Sequence, residues 1–105
     1  MSNKSIIKEL KRISASLFTN SSGSAYLYGS RARGEAVSDS DWDILVILDD
    51  TLKGDNIYEK YVFPFAEVGW RNNAEVVPIH FTASQWEAQS CTQFYRNVIK
   101  DMIRL

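Results

Sequence analysis

Three observations point to an α/β (α+β) chain with a small mixed sheet of three to four strands backed by helices. Segments with an apolar residue every three or four positions alternate with short runs rich in aromatic and β-branched residues. The run Ile44-Leu45-Val46-Ile47-Leu48 is apolar at every position, as expected of a strand covered on both faces. The length of 105 residues suits one core, so a single domain over residues 1–105 is expected.

Ile6, Leu10, Ile13 and Leu17 recur at helical spacing among Lys and Glu residues and predict an amphipathic helix over about 3–18. Ala25 to Tyr28 reads as a short strand, ended by Gly29-Ser30, which opens a brief helix to about residue 36. Val37 to Ser40 is a turn, and Asp41 to Leu48 a second strand. Ile57, Tyr61, Phe65 and Val68 form one stripe of a helix over about 55–71, which Pro64 should kink or split. A third strand is expected over Ala74 to Phe81, at an edge or bulged, because Pro78 lacks a donor. Thr82 with Gln85 matches a capping box and opens a helix carrying Trp86. A last helix over about 91–101 shares Phe94, Val98 and Met102 on one side, and residues 102–105 finish as a small edge strand.

The apolar fraction of 45% is that of an ordinary globule, and a net charge of -1 offers no general attraction to nucleic acid. Cys91 is the one cysteine, so no internal disulfide can form, in keeping with a reducing compartment. No stretch approaches the roughly 20 apolar residues of a membrane span, and Met1 to Lys4 begin no secretory signal. A cytoplasmic protein is the expectation.

The chemistry concentrates between residues 28 and 48. Asp41 and Asp43 follow Gly29 by twelve and fourteen positions. A strand alternates its faces, so the two carboxylates point one way and Trp42 the other. They repel unless a cation lies between them, and Mg²⁺ takes carboxylate and phosphate oxygens together. Gly29 allows close backbone approach, Ser30 sits at a helix start that attracts anions, and Arg31 and Arg33 add positive charge. A metal holding a triphosphate between the turn and the acids is the economical reading. Taken singly, each part has an ordinary explanation: Ser30 as a helix cap, the arginines as solvated surface, the aspartates as turn formers. Gly29 and Gly34 have P-loop spacing, but Glu35-Ala36 stands where Lys and Ser/Thr are required, so a P-loop is rejected. Glu75, the one acid expected within the third strand, is the candidate third carboxylate, as second metal ligand or as base for an incoming hydroxyl. Asp39 reads as a turn former.

Together Gly29-Ser30, Arg31-Ala32-Arg33-Gly34 and Ser40-Asp41-Trp42-Asp43-Ile44-Leu45-Val46 resemble the signature of the DNA polymerase β-like nucleotidyltransferase superfamily, in its minimal bacterial and archaeal branch. The resemblance implies that fold, and transfer of a nucleoside monophosphate, with AMP favoured, from an NTP to a hydroxyl with Mg²⁺ and release of pyrophosphate. It implies phosphate binding by Gly29 and Ser30 and metal binding by Asp41 and Asp43. The family's third acid is commonly Asp, whereas this chain offers Glu75, and Trp42 replaces a more common aliphatic residue. Small members resemble antitoxins paired with HEPN-domain toxins, so the alternative to an enzyme is an antitoxin-like binding module with weak or no catalysis. Base preference, acceptor and oligomeric state are left open.

His80 is the only histidine, so neither a His-based triad nor a zinc cluster can form; it is expected to be structural or at the surface. Cys91 is expected as a buried or helix-face thiol. Trp70, Trp86, Phe63, Phe65, Phe94 and Tyr95 are expected in the core or at an interface.

Overall fold

The computed structural model describes residues 3–20, 22–52 and 54–105. Its elements run α1 (Asn3–Leu17), β1 (Gly23–Tyr28), α2 (Ser30–Arg33), β2 (Trp42–Leu48), α3 (Ile57–Tyr61), α4 (Phe63–Arg71), β3 (Val76–Thr82), α5 (Ala83–Ala88), α6 (Gln93–Asp101) and β4 (Ile103–Arg104). The four strands form one mixed sheet in the order β3-β2-β1-β4. β1 lies antiparallel to β2 and β4, while β2 and β3 run parallel, joined through α3 and α4.

β2 is central, which explains its unbroken apolar run. Ile44 and Val46 enter a core with Trp42, Leu27, Ile6, Leu10, Phe65 and Val68, beneath α1 and α4. Leu45 faces the other way, onto Trp86 of α5 and Val98 of α6, with Tyr26 and Tyr28 of β1 packed against them. Burying each such side chain contributes roughly 1.5–3 kcal/mol.

Pro64 does split the expected long helix. α3 ends before Val62, and α4 restarts with Pro64 in its first turn, where a missing N–H costs nothing. Pro78 lies in an edge strand, as expected. The Trp42 N–H donates to the Glu75 carbonyl at 2.8 Å, so residue 75 and its alternates turn their backbone to β2 while Pro78 turns its donorless nitrogen outward. At Thr82 both bonds of the capping box form, with the Gln85 N–H donating to the hydroxyl and the Thr82 N–H to the Gln85 side chain.

The strands start later than their acids suggested. Asp41 and Glu75 each lie one residue ahead of β2 and β3. One placement differs further: Cys91 is exposed in the turn between α5 and α6. Trp70 is outside the core, 72% exposed and resting edge-on against Phe63 at 5.2 Å, which leaves the interface half of its expectation. Among the described residues no helix is long and apolar enough to cross a membrane.

Candidate active site

The site forms where β1 ends and β2 begins. At Gly29 the chain takes φ 77° and ψ -157°, a conformation open in practice only to glycine. Gly29 occupies the cap position of α2, and Ser30 is the first helical residue rather than the cap. After α2 the chain passes Gly34, at φ 74°, and returns through residues 37–40 to β2. The register then sets Tyr28 directly across from Asp43. Paired residues of antiparallel strands share a face, so both side chains stand on the α5–α6 side.

Asp43 presses against the glycine turn. A Cβ added to Gly29 would lie 2.5 Å from Asp43 Oδ2, so the absence of a side chain at position 29 is what makes room for this carboxylate. Burial raises the Asp43 pKa above the usual carboxylate range; the neighbouring Asp41 charge raises it further, and Arg33 opposes both. Tyr28 responds in kind, its phenol pushed up to about 12 by burial and then by Asp43. Asp41 is exposed, and Trp42 between the two acids is buried on the opposite face, as strand alternation requires.

The two arginines part company. They are two residues apart on a helical turn, roughly 200° around its axis. Arg33 turns toward the acid side, with Nη1 2.6 Å from Asp101 Oδ2 at the end of α6 and Nε 2.6 Å from Glu35 Oε1. Arg31 turns to the other face, its guanidinium 4.4 Å from the Trp42 ring centroid. It donates to the Ser40 carbonyl at 2.8 and 3.2 Å and to the Ser38 carbonyl at 3.2 Å. Arg31 therefore ties down the loop that delivers Asp41, and its charge is committed away from the Gly29-Ser30 turn. Asp39 lies exposed in that loop, accepting from the Ser38 hydroxyl at 3.1 Å, as a turn residue does.

Glu75 is exposed, and its backbone lies beside Trp42 across the start of β3. It borders a depression of about 300 Å³ with Asp39, Ser40, Asn72 and Asn73. Among the described residues, no three His, Cys, Asp or Glu side chains are gathered so as to hold a metal ion, so Glu75 is not brought together with both aspartates. The pair alone still suits a hard cation. Both donors are carboxylate oxygens, among the described residues Arg33 is the cation that offsets the Asp41 charge at Asp43, and Mg²⁺ is usually held by one or two carboxylates completed by substrate phosphates and water.

Tyr28 and Asp101 are the residues that sequence reading missed. Tyr28 was detectable in principle, since it immediately precedes the glycine turn. The pairing of Asp101 with Arg33 spans 68 positions and leaves no local signal.

The chain matches the nucleotidyltransferase domain family over residues 4–100. A comparison with curated proteins gives no match. A chain from a crystal structure of a toxin–antitoxin with AMP-PNP superposes with a TM-score of 0.55 at 23% identity, covering 98% of this chain and 72% of that one. At that identity the likeness concerns the fold alone. A presumed nucleotidyltransferase from Sulfolobus solfataricus is 29% identical over 96% of this chain and 82% of its own, with a TM-score of 0.48 that carries no argument. With its motif, its sheet and a match spanning residues 4–100, this chain belongs to the nucleotidyltransferase domain family.

Proposed function

We propose that the protein transfers a nucleoside monophosphate, AMP by preference, from an NTP to a hydroxyl acceptor and releases pyrophosphate. The observation that carries this reading is the packing of the Asp43 carboxylate into the space left by the missing side chain of Gly29, with Asp41 beside it. Gly29 and Ser30 would receive the phosphates through the backbone and the hydroxyl. Asp41 and Asp43 would hold Mg²⁺, which supplies polarisation of the phosphoryl oxygens and neutralises charge building on the leaving pyrophosphate. Arg33 lends positive charge on the same side, and Arg31 positions the loop. The acceptor oxygen forms its bond to the α-phosphorus as the bond to the bridging oxygen breaks. The hydroxyl proton passes to a carboxylate, for which Glu75 is the candidate after a change of side-chain position.

A second reading has its own support: an antitoxin-like module that masks a protein partner, of the kind that pairs with HEPN-type toxins. The separation of Glu75 from the aspartates favours it, and so does the toxin–antitoxin assembly to which the structural neighbour belongs. Incubation with α-labelled ATP, Mg²⁺ and candidate protein or RNA acceptors separates the two. The enzyme reading expects label transferred by the wild type and not by Asp41→Asn or Asp43→Asn. No transfer to any acceptor, with partner binding equal in wild type and mutants, leaves the binding module.

A further inference from the structure

α6 lies on the same face of the sheet as Asp43, and its first turn presents an aromatic ring against Tyr28. Phe94 is 39% exposed while it also makes two ring contacts. Its ring stands edge to face with Tyr28, centroids 6.1 Å apart at 89°, and with Trp86, 6.2 Å apart at 90°. Trp86 is buried and packs against Tyr95, centroids 4.6 Å apart at a tilt of 35°, so Phe94 rests on a packed support. Tyr28 is in turn the cross-strand partner of Asp43 and the residue before Gly29. Phe94 therefore contacts the residue that leads into the proposed phosphate turn, and the sugar of a nucleotide would span from that turn to its ring.

We infer that Phe94, held edge-on by Tyr28 and Trp86, is the stacking platform for the nucleobase of the NTP. The inference rests on the nucleotide reading of the Gly29–Asp43 site and adds to it a base-recognition element and a preference. Every base has a π face, and stacking on an aromatic side chain strengthens binding without reading base edges. Larger rings cover more of the platform, so ATP and GTP bind more tightly than CTP and UTP.

The test is calorimetric titration of the four NTPs and of inorganic triphosphate, each with Mg²⁺, into the wild type, Phe94→Leu, Phe94→Tyr and Asp43→Asn. Phe94→Leu keeps an apolar side chain on Trp86, and a thermal melt verifies that it folds. The expected result is a loss of about tenfold in ATP and GTP affinity for Phe94→Leu, within the range that base stacking supplies. Phe94→Tyr restores it, and triphosphate binds equally to both variants and the wild type. ATP bound equally by Phe94→Leu and the wild type, while Asp43→Asn loses it, overturns the platform and leaves the phosphate site standing. If the wild type binds neither ATP nor triphosphate, the nucleotide reading fails and the platform with it.

Discussion

Replacing Gly29 with alanine separates two consequences that the structure assigns to one atom. The backbone at Gly29 (φ 77°, ψ -157°) lies where a residue with a Cβ is strained by about 1–3 kcal/mol. For a domain of this size that lowers Tm by roughly 5–15 °C. Gly34 is the built-in control. It too has a positive φ, 74°, but in the ordinary left-handed region, and a Cβ there meets nothing within 4 Å. Gly34→Ala should cost about 1–2 kcal/mol, a loss overlapping that of Gly29→Ala. Only the new Cβ at position 29 lands 2.5 Å from Asp43 Oδ2, and the side-chain end is what gives way. Gly29→Ala should therefore weaken Mg²⁺-ATP binding by about tenfold or more, a change of at least about 1.4 kcal/mol, while Gly34→Ala changes it little. Calorimetry and thermal melts on both variants measure the two effects. The pair Gly29→Ala and Asp43→Ala should also be non-additive in stability, because removing the carboxylate removes the collision. Equal nucleotide affinity in the two glycine variants, or strict additivity at 29 and 43, would refute the reasoning.

Three further outcomes follow from the same geometry. Asp43→Asn should stabilise the free fold, by about 0.5–1 kcal/mol because solvent screens a half-exposed group. The native carboxyl has a raised pKa, so its penalty is absent at low pH and develops as pH rises from the unfolded value through the folded one; melts should diverge above that window and converge below it. Arg31→Ala loses bonds to the Ser38 and Ser40 carbonyls and the contact with Trp42, and should cost about 2–3 kcal/mol in urea unfolding, with Arg31→Lys failing to restore it for want of a planar fork. Ultraviolet titration should find Tyr28 ionising near about 12, and lower in Asp43→Asn; since its unfolded value is about 10, the stability it contributes is intact below that pH and falls away between the two values.

Much of this was legible because strands obey a two-residue period. The alternation put Asp43 on one side and the indole on the other, and the buried Trp42 bears that out, while Asp41, one residue ahead of β2, lies outside the strand. Pro64 and Pro78 each announced a local event, a split helix and an edge strand, since a missing N–H leaves few places for the residue. Charge alone groups the two arginines, but angle divides them. Two positions on a helix point to opposite sides, and that alone separates Arg31 from Arg33. Composition puts Glu75 in the strand, yet β3 begins after it, and where a carboxylate ends up at a strand mouth depends on the turn before it. Trp70 shows the converse case, an aromatic off the stripe of Ile57, Tyr61, Phe65 and Val68 that the fold leaves outside the core.

The acid pair and the glycine turn meet their sharpest trial in a crystal of the wild type soaked with a non-hydrolysable NTP and Mn²⁺ in place of Mg²⁺, recorded at a wavelength where the metal scatters anomalously. An anomalous peak between the Asp41 and Asp43 carboxylates, with phosphate density continuing to Gly29-Ser30, is the expected result. A nucleotide bound elsewhere on the protein, or an acid pair left bare at saturating metal and nucleotide, would contradict it.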